Sequence, residues 1–289
     1  MAPGKKPVLN RHYAFISPAA VPRGVSGADR AVCPGSARSW RRCGVARLQG
    51  AVDEKDVVAQ YFNSNGFERW RKIYSETAEV NRVQRDIRDG HRQTVEAVLH
   101  MLDEDGTDYA QHTFCDAGCG VGSLALPLAQ RNAKRVTAFD ISEAMVNEAR
   151  RRADELLPPE QRARCDFRVA DVEGFRSDHP YDTICCVDVM IHYPTERAEA
   201  MLRHLSSMAR SRMIITFAPK TLYYVLLKKV GELFPGPSRV TRAYQHSEAD
   251  IRAALRRLGW QVRREHFTAT WFYFSKLLEV VRAPDTPNA

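Results

Sequence analysis

One stretch constrains this 289-residue chain more than any other: Phe114-Cys115-Asp116-Ala117-Gly118-Cys119-Gly120-Val121-Gly122-Ser123-Leu124-Ala125-Leu126. It reads as a short apolar strand that breaks into alternating glycines and resumes as a helix. Glycines at 118, 120 and 122 allow a turn too tight for a Cβ and let the backbone approach a ligand, while the following helix offers free N–H groups. The spacing Asp116-x-Gly118-x-Gly120-x-Gly122 differs from the G-x-G-x-x-G of dinucleotide sites. Asp116 is a poor neighbour for a pyrophosphate and a good one for an ammonium group, which a carboxylate at a strand end can hold directly or through water.

S-adenosyl-L-methionine carries such an ammonium group and no phosphate, and the later acids fit the same ligand. Asp140, at the end of Ala138-Phe139-Asp140-Ile141, lies about twenty residues beyond the glycine loop, where folds of this kind place an acid on the ribose hydroxyls. Asp171, in Ala170-Asp171-Val172-Glu173, can accept from an exocyclic adenine amine while a backbone N–H faces the ring. The expected cofactor contacts are Asp116, Gly118, Cys119, Gly120, Gly122, Asp140, Ile141, Asp171, Val172 and Val187. Read singly, Asp171 is equally a turn residue; its coincidence with Asp116 and Asp140 carries the functional reading.

Strand–helix alternation begins at Thr113. Strands are expected at Thr113–Ala117, Arg135–Asp140, Ala163–Val169, Tyr181–Val187 and Arg212–Ala218, with helices over Ser123–Arg131, Ala144–Leu157 and Glu196–Ala209. A helix over His246–Leu258 and strands near Gln261–Phe267 and Trp271–Val281 close the chain. The expected fold class is α/β, a Rossmann-like seven-stranded, mostly parallel sheet with an antiparallel edge hairpin. The fourth strand runs into Asp188-Val189-Met190-Ile191-His192-Tyr193-Pro194, and ligands in open α/β sheets sit beyond the carboxyl ends of strands. His192 is therefore a candidate for the reacting centre, against the alternative of an ordinary surface histidine.

Three segments frame that domain, which spans 111–283. Residues 51–110 form a helical arm in which Tyr61, Phe62, Phe67, Trp70 and Tyr74 recur around an Asn65-Gly66 turn, as in two short helices with aromatics on one side. Such a stripe serves core packing or a ligand box equally well. Residues 219–245 make a connection longer than a crossover needs, with Tyr224 among aliphatics and Lys228, Lys229, Arg239 and Arg242 at its flanks. It suits a lid over a flat anionic ligand, a membrane contact, or a helix packed on the sheet.

Residues 1–50 hold nine basic residues against Asp29 alone, which accounts for the whole net charge of +8; the other 34 basic and 34 acidic residues cancel. This Arg-, Ala- and Ser-rich leader lacks an apolar core, as in an organelle transit peptide or a plain disordered extension. Neutrality elsewhere, and no Asn/Asp-Pro-Pro-aromatic tetrapeptide after the fourth strand, weigh against a nucleic-acid substrate. The seven cysteines are scattered in apolar contexts without zinc spacing, so no protein-bound metal is expected.

Asp116-x-Gly118-x-Gly120-x-Gly122, Asp140, Asp171 and the fourth-strand exit together resemble the class I S-adenosylmethionine-dependent methyltransferases over residues 80–283. A closer resemblance is carried by Tyr61 to Tyr74, by Val83-Gln84-Arg85-Asp86-Ile87-Arg88-Asp89-Gly90-His91 and by Met190-Ile191-His192-Tyr193-Pro194. These segments are similar to the magnesium protoporphyrin IX O-methyltransferases of chlorophyll biosynthesis. The resemblance implies methyl transfer to a porphyrin propionate, a plastid location peripheral to thylakoid or envelope membranes, and contact with the large subunit of magnesium chelatase. His192 and Tyr74 become the candidates that aim the carboxylate, and Tyr61, Tyr193, Phe217 and Tyr224 the flat walls of the substrate site. An O-methyltransferase for another apolar acid or a quinone precursor stays open.

Overall fold

A computed structural model describes residues 53–74, 80–220 and 243–283. The leader, Tyr224 and most of the 219–245 connection lie outside the described residues.

The arm begins with α1 (Glu54–Phe62) and α2 (Asn65–Ile73). Asp53 caps α1 by accepting from the Lys55 N–H. The turn between them falls at Asn63-Ser64, two residues earlier than the expected Asn65-Gly66 turn, and Asn65-Gly66 opens α2. The reason is steric: Gly66 lies against Tyr61, where a Cβ would come within 2.5 Å of the Tyr61 carbonyl oxygen. The long helix α3 (Arg82–Glu104) starts from a reciprocal capping box between Asn81 and Gln84. Its inward face buries Val95, Val98, Leu99, Met101 and Leu102, the apolar positions of a helical period.

Seven strands follow in the order β3-β2-β1-β4-β5-β7-β6. β1 (Thr113–Ala117), β2 (Arg135–Asp140), β3 (Cys165–Val169), β4 (Tyr181–Cys186) and β5 (Ala209–Phe217) run parallel. β7 (Phe274–Arg282) is antiparallel to both β5 and β6 (Trp260–Ala269), giving the expected edge hairpin. The helices between them are α4 (Ala125–Gln130), α5 (Glu143–Leu156), α6 (Pro159–Arg162), α7 (Thr195–Met208) and α8 (Glu248–Arg257).

The boundaries of β1 and β2 coincide with expectation. β3 starts two residues late because Pro159, with its fixed φ, launches the short helix α6 instead of an extended chain. β5 starts three residues early, pairing Ala209 with Tyr181. Central strands are buried on both faces: Phe114, Cys115, Ala117, Ile184, Cys185, Cys186 and Met213 to Ile215 are all inaccessible to solvent. Parallel strands covered by helices on both sides require such continuous apolar runs.

The reversal of strand order lies between β1 and β4, which are neighbours although β2 follows β1 in sequence. Chain connections leave that point in opposite directions, opening a crevice beyond the carboxyl ends of the strands. The glycine loop after β1 and the Asp188 turn after β4 border it.

Candidate functional site

The glycine loop holds its shape by doubling two donors onto one acceptor. The N–H groups of Gly118 and Cys119 both donate to the Phe139 carbonyl, at 2.8 and 2.9 Å. Gly118, Gly120 and Gly122 have φ of 79°, 51° and 83°, the left-handed region that glycine enters without penalty. A Cβ on Gly118 would sit 2.2 Å from Val189 Cγ2, whereas one on Gly120 would meet nothing within 4 Å. The loop is packed from below at Gly118 and open above Gly120, as a backbone cradle requires.

Two acids of opposite condition flank the cradle. Asp140 closes β2, and its carboxylate is already engaged: Oδ2 accepts from the Gly120 N–H at 3.0 Å and Oδ1 from the Ser142 N–H at 2.8 Å. Asp116 is 2 % exposed and its Oδ2 is buried with no hydrogen-bond partner. Burial pushes its carboxyl up to about 7, the Ala125 N–H opposes that, and the nearby Asp140 charge adds to it. A buried carboxylate with an unmet oxygen fits a cationic ligand group, and the ammonium of an amino-acid-bearing cofactor is such a group.

Asp171 makes an Asx turn, accepting from the N–H groups of Glu173 and Gly174 at 2.8 Å each, and it pairs with Lys55 Nζ at 3.1 Å. All three contacts fall on Oδ1, so the turn reading and a ligand role for Oδ2 are compatible. Val172 and Val187 are buried at 6 % and 7 % exposure, and Ile141 is half-buried against the same core.

The arm closes over this end of the sheet. Asn63 Oδ1 lies 2.9 Å from the Ser142 hydroxyl and accepts from the Ala144 N–H at 3.1 Å, tying the end of α1 to the start of α5. Arg88 and Arg152 donate to the carbonyls of Ile73 and Tyr74, satisfying the open end of α2. Between these anchors runs a chain of ring contacts. His192 meets Phe62 edge-on at 5.2 Å, Phe62 meets Trp70 at 6.2 Å, Trp70 stacks on Tyr74 at 5.5 Å, and Tyr74 meets His91 at 4.6 Å. The aromatic arm thus joins His192 to His91 through a continuous row of rings.

His192 ends the 3₁₀ turn Met190–His192, which the buried His246 holds by donating from Nε2 to the Met190 carbonyl at 2.9 Å. Its Nδ1 is buried and unpartnered, and burial lowers the ring to about 4 against a weaker opposing pull from Asp188. His192 is therefore neutral near pH 7. Burial also raises the Tyr74 hydroxyl well above its usual range, with the Asp188 and Asp140 charges adding to it, so Tyr74 stays a donor. Tyr61 is half-buried at the end of α1, 5.0 Å from Phe62. Tyr193 and Phe217 are core residues, at 4 % and 1 % exposure, and form the floor of the region instead of an open wall. The sequence placed them correctly at strand exits; their apolar neighbours in the main core cluster draw them inward.

Asp188 is the site residue that sequence reasoning passed over. It has φ of +59°, uncommon for a side chain larger than hydrogen. Its carboxylate gathers His91 Nδ1 at 2.7 Å, the Tyr273 hydroxyl at 2.8 Å and the Thr216 hydroxyl at 3.3 Å. Burial pushes the Asp188 carboxyl up, but His91 and these hydroxyls outweigh it and hold it below the usual range. Among the described residues no group of three His, Cys, Asp or Glu side chains is placed to hold a metal ion.

Residues 186–282 match the family described as magnesium-protoporphyrin IX methyltransferase C-terminus, and 114–212 match the general methyltransferase domain. The chain is 55% identical to the chloroplastic magnesium protoporphyrin IX methyltransferase of Arabidopsis thaliana over 228 residues, 79% of this chain and 71% of that protein. It is 52% identical to the magnesium-protoporphyrin O-methyltransferase of Synechocystis over 81% of this chain and 98% of that one. The chain belongs to the magnesium protoporphyrin IX methyltransferase family. A crystal structure of that methyltransferase from Synechocystis with bound SAH superposes on this family member with a TM-score of 0.72. The match has 51% identity and covers 79% of this chain and all of the other. The seven-stranded Rossmann-like fold is therefore that of this methyltransferase family.

Proposed function

We propose that the chain transfers the methyl group of S-adenosyl-L-methionine to a propionate carboxylate of magnesium protoporphyrin IX, giving the monomethyl ester. The observation that carries this reading is the conjunction of a glycine cradle beginning beside the buried Asp116, whose Oδ2 is unpartnered, with an aromatic arm whose Phe62 meets His192 at the fourth-strand exit. Asp116 would hold the donor's ammonium, Asp140 its ribose, and Asp171 Oδ2 its adenine amine, with Val172 and Val187 against the base and the reacting end. The donor supplies an activated methyl on a sulfonium.

A propionate resembles a Glu side chain, with a pKa near about 4.3, so it arrives ionised at neutral pH and needs no general base. The remaining tasks are alignment and exclusion of water, which positioning alone can accelerate by many orders of magnitude. A neutral His192 and the protonated Tyr74 are suited to donate to the carboxylate without neutralising its nucleophilicity. The rings of Phe62, Trp70 and Tyr61 offer flat contact to a macrocycle.

The basic leader, and the chloroplastic location in the name of the Arabidopsis relative, support a plastid location. No described helix is long and apolar enough to cross a membrane. Peripheral contact with thylakoid or envelope membranes is part of this reading. Docking to the large subunit of magnesium chelatase, which makes the proposed substrate, belongs to the same reading.

The test is methyl transfer from labelled S-adenosyl-L-methionine to magnesium protoporphyrin IX, with His192→Ala and Tyr74→Phe beside the parent chain. Ester formation reduced in both variants at unchanged cofactor affinity supports the reading. Cofactor binding without ester, alongside turnover of a quinone precursor or another apolar acid, overturns the porphyrin assignment.

A further inference from the structure

His91, Asp188 and Tyr273 form a built unit that the methyl-transfer reading above does not use. Three elements distant in sequence converge on it: α3 brings His91, the exit of β4 brings Asp188, and the β6–β7 turn brings Tyr273. Their mutual distances are 2.7 Å from His91 Nδ1 and 2.8 Å from the Tyr273 hydroxyl to Asp188 Oδ2. The fold accommodates the unit at some expense. Asp188 adopts a left-handed backbone conformation, a cost that is retained where surrounding structure dictates it and that concentrates at functional sites. Gly90, in the interior of α3, gives up helix propensity so that Tyr273 can pack on the backbone; a Cβ there would lie 2.3 Å from the Tyr273 ring.

Because an ionised carboxylate only accepts, the His91 proton facing Asp188 is on Nδ1. That leaves Nε2 to face a ligand, as an acceptor in the neutral ring and as a donor in the imidazolium. Nε2 is buried and has no partner among the described residues, while the ring packs 4.6 Å from Tyr74 at the inner end of the aromatic chain. A buried ring nitrogen left unpaired, with its ring orientation set by two further residues, is an arrangement made for a ligand atom.

We propose that the His91 ring, holding a proton on each nitrogen against Asp188, binds the carboxylate of the substrate through Nε2–H and is the counter-charge that lets an anion enter the crevice. The inference rests on the carboxylate-methylation reading and identifies the residue that selects the acid. Asp140 and Asp188 border the crevice, and Asp116 is there offset by the donor's ammonium, so an incoming carboxylate meets net repulsion except where a further cation intervenes. The nearby strong bases are engaged elsewhere: Lys55 with Asp171, and Arg88 and Arg152 with the backbone carbonyls that close α2. His192 is neutral. An imidazolium at 91 has its counter-ion in Asp188 and presents its other N–H to the substrate, a charge-assisted bond of the strong kind. His192 and Tyr74 are then neutral donors that orient a carboxylate which His91 has admitted.

The experiment measures binding of magnesium protoporphyrin IX and of its dimethyl ester to the full chain with S-adenosylhomocysteine present, so that no turnover occurs. The parent protein is expected to prefer the diacid. His91→Ala should weaken diacid binding by about thirtyfold and leave the diester unchanged, collapsing the preference toward unity. His91→Gln, which fills the same space with a neutral donor, should fall between. Equal losses for acid and ester, or a preference that survives in both variants with S-adenosylhomocysteine affinity intact, overturn the proposal and leave the substrate assignment standing. A parent chain that binds neither porphyrin removes the proposal together with that assignment.

Discussion

The central strands and the terminal hairpin treat buried carboxylates in opposite ways. On the hairpin side, Glu279 of β7 is inaccessible to solvent and Asp105 nearly so, and three guanidinium groups surround them. Arg264 meets Glu279 Oε2 and Asp105 Oδ2, Arg263 makes a two-pronged pair with Asp105, and Arg212 reaches both acids. These interactions hold Asp105 below the ordinary carboxylate range despite burial. At the carboxyl ends Asp116 is buried as deeply, has no cation, and is pushed up to about 7. An acid completed by the chain supports the fold; an acid left incomplete marks where something else completes it. Burial is common to both sites, and only the partners distinguish them.

The largest expected effect tests that distinction at its sharp end. With the folded value about 7 and the reference 3.8, ionised Asp116 is costlier in the folded chain than in the unfolded one. Stability is therefore highest below the unfolded value, falls as pH rises from about 4 to about 7, and is level above it. The cost at pH 8 is on the order of 4 kcal/mol. Asp116→Asn should remove it, raising the thermal midpoint of the ligand-free protein by roughly 5–10 °C. The same change should lower S-adenosylmethionine affinity by about a hundredfold, as expected for truncating a buried charge pair. Calorimetric titration and a thermal scan read the two; a variant that gains no stability, or keeps its affinity, contradicts the assignment of the unmet oxygen to a ligand.

The counterpart at the hairpin should do the reverse. Arg264→Ala strips Glu279 of its closest cation and should cost about 3 kcal/mol of stability, the typical penalty for orphaning one partner of a buried pair. Cofactor affinity should be unchanged, because β4 and β5 stand between Glu279 and Asp116. Chemical denaturation with parallel titration checks this, and a joint loss of affinity would mean that the two sites are coupled through β4 and β5.

These two clusters also show what was legible in the sequence. Strands β1 and β2 were readable to the residue because each is an apolar run closed by an acid and a turn. The glycine loop and the placement of Asp116, Asp140 and Asp171 at or just beyond the carboxyl ends of β1, β2 and β3 were readable because that placement is local, set by spacing along two successive βαβ units. Asp188 was not: in Val187-Asp188-Val189 it looks like any acid at a strand exit, and its meaning comes from His91 and Tyr273, 97 and 85 residues away. A local signal did exist. Gly90 interrupts an otherwise strong helical pattern just before His91, and a glycine within a helix marks close approach by another element. The arginine cluster was equally invisible, since Asp105 closes a helix while Arg263, Arg264 and Glu279 belong to the terminal hairpin.

A smaller effect separates Asp116 from the other titrating groups. Cofactor binding prefers the ionised carboxylate, so below about 7 the affinity should fall by up to about tenfold per pH unit and should be flat above it. Asp140, also raised by burial, contributes in the same direction. His192, at about 4, titrates outside this window. S-adenosylhomocysteine affinity followed from pH 5.5 to 8.5 gives the profile, and in Asp116→Asn the slope should largely vanish. A slope unchanged in that variant would assign the titration to another group.

The smallest effect concerns the arm, where the two kinds of acid meet. Asp171 is completed by the chain on Oδ1, through Lys55 and two backbone N–H groups, yet makes no hydrogen bond at Oδ2 among the described residues. The Lys55 pair is about a quarter exposed at each partner, and pairs of that kind contribute roughly 0.2–1 kcal/mol. Lys55→Met should therefore shift cofactor affinity by less than about threefold, since the Glu173 and Gly174 N–H groups still fix the carboxylate. What it should change is the arm: α1 also docks through Asn63 on Ser142 and Ala144 and through the Arg197–Asp53 pair, so loss of Lys55 loosens one of several attachments. Amide exchange over residues 54–62 should accelerate several-fold while exchange in β1 and β2 is unaffected. A large loss of cofactor affinity instead would make Lys55 part of the binding site, and Asp171 an acid completed by the chain only to be shared with a ligand.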